Sequence, residues 1–236
     1  MDKLDIYKNE NEIVNDAFDQ TVMNLHLQRK QNGYKSFVIT GCEPGDGATS
    51  VAINLASALA ASGWKTVLVD VDMRKKNRYK RLNERITYGL SDYLLGKINL
   101  DDMIFTTTRD NLSYIPCGEA IDNPVRLLCS NKMNEVRVEL SKLYDFIIYD
   151  MPSLDSSTDA KVIAVNADAV ILVSSMGKTT KKGLVEAANT LHEVNANLIG
   201  TIINKTDMDQ YASLRKGYDY FLNEKYVVRS KRKAKR

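Results

Sequence analysis

One ten-residue stretch constrains this chain more than any other: Gly41-Cys42-Glu43-Pro44-Gly45-Asp46-Gly47-Ala48-Thr49-Ser50, set between two runs of different periodicity. Before it, Phe37-Val38-Ile39-Thr40 is a short apolar run of the kind a strand covered on both faces needs. After it, Val51, Ala52, Leu55, Ala56, Leu59 and Ala60 recur at helical spacing until Gly63 stops the helix. Val67-Leu68-Val69-Asp70-Val71-Asp72 reads as the next strand, ending in two carboxylates. A glycine turn that opens a helix presents backbone N–H groups at the positive end of the helix dipole, which suits a phosphate.

The phosphate-loop pattern is Gly, four residues, Gly-Lys, then Ser or Thr. Here Cys42 holds the first glycine position, Gly47 the second and Thr49 the hydroxyl position, while Ala48 stands where the lysine belongs. The candidate phosphate-binding residues are therefore Gly45, Asp46, Gly47, Ala48, Thr49 and Ser50. An ordinary Gly/Pro turn between strand and helix is the competing reading of the same residues.

The rest of the chain repeats the strand–helix alternation. Residues 11–28 read as an amphipathic helix with Ile13, Ala17, Phe18, Val22 and Leu25 along one side. Residues 89–96 and 100–104 read as short helices and 112–116 as a strand. Residues 122–128 open a helix with Pro124 near its first turn. A helix over 134–143, a strand over 146–149, a helix near 159–165, a strand over 169–174, a helix over 180–194 and a strand over 198–203 follow. Nearly all-apolar strands alternating with helices predict an α/β fold, a doubly wound and mostly parallel sheet with helices on both faces. Ligands of such sheets bind beyond the carboxyl ends of the strands, where residues 45–49, Asp72, Asp150 and Asn204 all fall. A hydroxyl with nearby carboxylates satisfies magnesium, a hard ion that keeps several waters, and Thr49, Asp72 and Asp150 form that set.

At 236 residues, 44% hydrophobic and 27% charged, the chain accommodates one large domain. The expected division is an N-terminal helical segment (1–30), a nucleotide-binding-type domain (31–210) and a tyrosine-containing basic tail (211–236). No apolar stretch approaches the roughly 20 residues of a membrane span, and no signal-peptide core opens the chain. Three scattered cysteines, Cys42, Cys117 and Cys129, lack zinc spacing and fit a reducing cytoplasm. His26 and His192 read as surface or packing residues. The basic run Arg74, Lys75, Lys76, Arg78, Lys80, Arg81 and Arg85 is either a solvated face or an attractor of phosphates or anionic lipid. The like-charged end after Arg229 is expected to be disordered.

Two further segments carry a family resemblance. Val67 to Arg74 matches the hydrophobic-Asp-x-Asp-x-Arg segment of the bacterial tyrosine kinases, the capsule-synthesis branch of the deviant phosphate-loop ATPases. Phe146-Ile147-Ile148-Tyr149-Asp150-Met151-Pro152 resembles their Walker B strand, and the similarity runs in order from about Asp16 to Asp207. The resemblance implies ATP and Mg2+ as ligands, and catalytic roles for Asp70, Asp72 and Asp150, with Asp70 or Asp72 taking the proton of an incoming tyrosine. It also implies contact of Asn204 with the adenine and a C-terminal phosphoacceptor cluster, here Tyr218, Tyr220 and Tyr226. A membrane adaptor of the polysaccharide chain-length or co-polymerase type is the implied partner, with a tyrosine phosphatase and a homo-oligomer beside it and no nucleic acid. The implied location is cytoplasmic, membrane-associated through the adaptor.

The chain departs from the family at three places besides Ala48. In the family's Glu-x-x-Arg-x-x-Arg, associated with ring assembly, Asp16 keeps the acid, but Asp19 and Val22 stand where the two arginines belong, and Arg126 stands where the family has Glu. These departures set a tyrosine kinase for capsule or exopolysaccharide synthesis beside a nucleotide-binding regulator without turnover. A partition or septum-site ATPase ranks behind both, because its signature lysine is absent near Cys42 and Glu43.

Overall fold

The computed structural model describes residues 3–6, 11–74 and 86–206. Its strands are β1 (Ser36–Gly41), β2 (Thr66–Asp70), β3 (Phe105–Thr106), β4 (Leu112–Ile115), β5 (Phe146–Asp150), β6 (Ala169–Ser175) and β7 (Leu198–Asn204). They form one sheet in the order β3-β4-β2-β5-β1-β6-β7, with β3–β4 antiparallel and every other pair parallel. The helices are α1 (Glu12–Asn32), α2 (Ala48–Ala61), α3 (Leu90–Leu94), α4 (Val125–Leu128), α5 (Asn131–Leu143), α6 (Asp159–Ala164) and α7 (Lys181–Glu193).

Because successive strand residues face opposite ways, the sheet has two cores. Phe37, Ile39, Leu68 and Ile148 pack with Leu55 and Leu59 of α2 and with Val22 and Leu25 of α1. Val38, Val69, Ile147 and Val170 pack on the other face with Val136 and Leu140 of α5, Ile163 of α6 and Leu191 of α7. The doubly wound, mostly parallel sheet expected from the sequence is the one observed. After β1 the chain goes to β2 on one side, and after β5 it goes to β6 on the other, so β1 and its following loop sit at the switch point where α/β sheets bind ligands.

Helix α2 shows why this arrangement is stable. Its buried residues include Val51, Ala52, Leu55, Ala56 and Leu59, and each fully buried branched side chain contributes about 1.5–3 kcal/mol. It ends in a Schellman turn: Gly63, at φ 90°, donates its N–H to Ala60 O at 3.0 Å, and Trp64 N–H reaches Leu59 O at 3.2 Å. Trp64 then stacks on His26 at 5.1 Å and meets the Phe146 ring edge-on, while Arg29 lies over both rings and pairs with Asp145 at 2.7 Å. This cluster fastens α1 at the amino ends of the strands, opposite the glycine loop, and makes His26 a packing residue.

Several boundaries differ from the sequence reading, each for a local reason. Strand β2 stops at Asp70 and not Asp72: Asp70 Oδ1 accepts Asp72 N–H at 3.0 Å, and Met73 N–H closes on Val71 O at 2.9 Å. Asn204 is the last residue of β7 instead of the turn after it. Residues 100–104 contain a 3-10 turn, Asp101–Met103. The helix expected from residue 134 begins at Asn131, where the Ser130 hydroxyl accepts Met133 N–H as its cap. Ala17 is exposed, so the apolar side of α1 is narrower than expected. Strand β3, with two residues, has no periodicity to read; Leu4 adjoins this edge, donating its N–H to Thr106 O at 3.1 Å.

Candidate functional site

A cleft of about 440 Å³ opens beyond the carboxyl ends of β1, β2 and β5. Glu43 to Thr49 form one wall, and Asp70, Asp72 and Asp150 stand across from them. Strand register explains the carboxylates: Asp70 and Asp150 are paired positions on neighbouring parallel strands, and Asp72 follows two residues on. Asp72 and Asp150 are 6% and 4% exposed. Asp70 is committed locally, accepting Asp72 N–H and, at 3.5 Å, a contact from Tyr114 Oη.

The loop holds itself in shape before any ligand arrives. Asp46 is fully buried; its Oδ2 accepts Glu43 N–H at 2.9 Å and its Oδ1 accepts the Thr179 hydroxyl at 3.1 Å. Gly47 caps α2 in the left-handed region at φ 93°, and a Cβ there would lie 2.2 Å from Asn204 Nδ2. Glycine is therefore required at this position by both conformation and space. Ala48 and Thr49 face the cleft in the first turn of α2. Ser50 lies outside the lining, with its carbonyl accepting the Asn54 amide. Asn204 also lies outside the lining: its Nδ2 donates to Asp46 O at 2.9 Å, on the back of the loop.

The electrostatics of the cleft are one-sided. Glu43, Asp46, Asp70, Asp72 and Asp150 line it, and among the described residues no lysine, arginine or histidine does. Burial, reinforced by Asp46 and Glu43, pushes the Cys42 thiol up to about 11, so it stays neutral at physiological pH. Acidic oxygens with a hydroxyl fit a hard divalent cation. Among the described residues no three His, Cys, Asp or Glu side chains close on one point.

Several residues that shape the site were not singled out from the sequence. Tyr114, Cys117, Ser153 and Ser156 line the cleft. Lys178 and Lys205 bind the loop from behind. Apart from Tyr114, which lies within β4, their common signal is position beyond a strand's carboxyl end, which becomes informative once sheet order is known. Arg74, read as part of a basic run, instead forms a bidentate pair with buried Asp159. The remainder of that run, and Tyr218, Tyr220 and Tyr226, lie outside the described residues.

A switch-point glycine loop, a hydroxyl in the first helical turn and carboxylates at the adjacent strand ends define a phosphate-loop type of α/β domain. The family described as AAA domain matches residues 34–205. The tyrosine-protein kinase CpsD of Streptococcus pneumoniae serotype 4 is 32% identical over 185 residues, covering 78% of this chain and 81% of that protein. Among solved structures, the chimerical protein CapA2B2 superposes with a TM-score of 0.78 at 27% identity, covering 86% of this chain and 92% of that one. The kinase domain of the Escherichia coli tyrosine kinase ETK gives 0.75 at 26%, covering 82% and 77%. The chain belongs to the AAA domain family and, within it, to the bacterial tyrosine kinases.

Proposed function

We propose that this chain binds magnesium–ATP in the cleft and acts as a tyrosine-kinase-type regulator of capsular or exopolysaccharide synthesis. The observation that carries the reading is the facing of the glycine loop and the strand-end carboxylates Asp70, Asp72 and Asp150 across one cleft. The Gly45, Gly47, Ala48 and Thr49 amides hold phosphate oxygens, while Asn204, fastened to Asp46 O, supports the loop from behind instead of lining the cleft. Thr49, Asp72 and Asp150 hold a magnesium ion, which when bound neutralises phosphate charge. Asp70 or Asp72, at the end of β2, takes the proton from a tyrosine hydroxyl. That oxygen forms its bond to the γ-phosphorus as the bond to the bridging oxygen breaks, and ADP leaves.

The tail tyrosines Tyr218, Tyr220 and Tyr226 are the assigned acceptors. Among the relatives, capsule-region kinases point to a membrane adaptor of the co-polymerase type, with a phosphatase to reverse the modification and a homo-oligomer as the working state. Among the described residues no helix is long and apolar enough to cross a membrane, which suits recruitment by such an adaptor at the cytoplasmic face. One observation favours a second reading within the same family: with Ala48 in the lysine position, the chain binds nucleotide and regulates without turnover.

The two readings separate in one experiment. Pure protein is incubated with magnesium–ATP, with and without an adaptor's cytoplasmic tail, and in parallel with an active family kinase in trans. Peptide mass spectrometry then locates phosphotyrosine. The expected result in trans is modification of Tyr218, Tyr220 and Tyr226 ahead of the body, where Tyr114 and Tyr149 are buried. Modification in cis identifies a kinase, and modification only in trans identifies the regulator. Phosphate confined to residues before Tyr211 removes the tail from the acceptor role.

The metal assignment has its own test. Asp150→Asn is expected to weaken nucleotide binding several-fold with magnesium present and less than about twofold without it, since only the metal-dependent part needs the carboxylate. Titration calorimetry under both conditions measures this, and equal losses exclude Asp150 from the metal's surroundings.

A further inference from the structure

Three consecutive carbonyls of the glycine loop are held from outside the cleft. Lys178 Nζ donates to Pro44 O at 2.5 Å, Lys205 Nζ to Gly45 O at 2.6 Å, and Asn204 Nδ2 to Asp46 O at 2.9 Å. None of the three donors lines the cleft, whereas the loop residues do. All peptide bonds here are trans, and in a trans peptide the N–H points opposite to the C=O. Fastening these carbonyls on the back of the loop therefore turns the Gly45 and Gly47 N–H groups away from the donors, to the cleft side. The Asp46 N–H is used within the loop, on Glu43 O at 3.2 Å.

The same two lysines bear on the loop's charge. Lys178 Nζ lies 3.6 Å from Asp46 Oδ1 and 4.0 Å from Glu43 Oε2, the two acidic groups that a polyphosphate meets on this wall. The loop has no cation of its own, because position 48 is alanine. A loop with two carboxylates and no lysine repels a triphosphate unless cations behind it offset their charge.

We propose that Lys178 and Lys205 replace the missing loop lysine: as positioning residues on the back of the loop, they offset its carboxylates and aim its amides at the β- and γ-phosphates of a nucleotide. The proposal rests on the nucleotide reading above and adds what allows a lysine-free loop to hold a polyphosphate. The turn Gly177-Lys178-Thr179 after β6 contributes twice, since Thr179 also anchors Asp46. Lys205 takes its place by adopting a left-handed backbone, φ 57°, directly after β7.

The test compares affinities for ATP, ADP and AMP, with magnesium, on the full chain. The variants are Lys178→Met with Lys205→Met, Lys178→Arg with Lys205→Arg, and the methionine pair combined with Ala48→Lys. Methionine keeps the stem and loses charge and donor. The expected losses for the methionine pair are about tenfold or more for ATP and less than about threefold for AMP, which has no β- or γ-phosphate. The arginine pair should stay within about threefold of the parent for ATP, and Ala48→Lys should restore most of what the methionine pair loses. A purely structural clamp would weaken ATP and AMP alike and would not be rescued from position 48; either result overturns the proposal, as does unchanged ATP affinity. If the methionine pair does not fold, Lys178→Met alone carries the same comparison, because its side chain is 44% exposed. A parent protein that binds none of the three nucleotides overturns the nucleotide reading and this proposal together. Binding by the parent with no ATP-specific loss overturns this proposal alone.

Discussion

Ala48→Lys is expected to tighten ATP binding and raise ATP hydrolysis at least about tenfold, roughly 1.4 kcal/mol off the barrier. Position 48 is the first residue of α2, faces the cleft, and follows a glycine already in the left-handed conformation that turns the chain into the helix. The loop's internal bonds run through Glu43, Asp46 and Gly47 and do not involve the Ala48 side chain, so a lysine enters without remaking them. Its compact charge then reaches the phosphates in a cleft whose described lining has no cation. Restoring one well-placed donor of this kind is worth roughly 10²–10³ in turnover where nothing else supplies the charge. Lys178 and Lys205 behind the loop argue for the lower end here. Tyrosine phosphorylation should gain less than hydrolysis. Asp16 and Asp19 are exposed on α1, and Val22, at the family's second arginine position, is buried in the core, so the assembly face differs from the family pattern. Measuring hydrolysis and autophosphorylation on one preparation separates the two defects. No gain in either binding or hydrolysis would show that this loop does not hold phosphate.

Arg74→Met is expected to cost about 2–4 kcal/mol of stability and to weaken magnesium-dependent nucleotide binding as well. Arg74 Nε and Nη2 grip the Asp159 carboxylate at 2.6 and 2.9 Å, and Nη1 reaches Asp122 O at 3.2 Å. The Asp159 side chain is 1% exposed, so removing its partner leaves an uncompensated buried charge. Arg74 itself is 39% exposed, and solvent screening places the expected loss below the largest values for fully buried pairs. The effect on binding follows from connectivity. Arg74 lies two residues after Asp72, and Asp159 opens α6 beyond the loop that follows Asp150. The pair thus ties together the two segments that present carboxylates to the cleft. Denaturant unfolding and calorimetry on the same variant read both losses. Adding Asp159→Leu should recover stability by removing the stranded charge, while the magnesium-dependent binding defect remains. A single variant within about 0.5 kcal/mol of the parent would show that the pair contributes little.

The fold class was legible because two periods are written plainly in the chain. Continuous apolar runs at β1, β5 and β6 and the Ala/Leu spacing of α2 leave few alternatives to a parallel sheet covered on both faces. The glycine loop was legible for a related reason: a helix opening straight from a Gly-rich turn after a buried strand is a local property. Asp70, Asp72 and Asp150 were readable as strand-end carboxylates, although β2 stops at Asp70 and leaves Asp72 on a turn held by Asp70's own side chain. The edge strand β3 was not legible, since its two residues take their conformation from pairing with β4 and not from a pattern of their own.

The sequence by itself determined the α2 helix, the core strands and their order along the chain, because these follow from burial periodicity and from where glycine and proline interrupt it. Only the tertiary structure decided which strand ends lie side by side. The register of β2 on β5 brings together Asp70 and Asp150, 80 residues apart in the chain. The placement of β6 beside β1, with β7 beyond it, brings Lys178, Asn204 and Lys205 behind the glycine loop. Lys178 carries no pattern of its own in the sequence, and Arg74 reads there as part of a charged run. What a long polar side chain does depends on which carbonyl or carboxylate the folded sheet sets within its reach, and strand order is a property of the whole core that no local pattern carries.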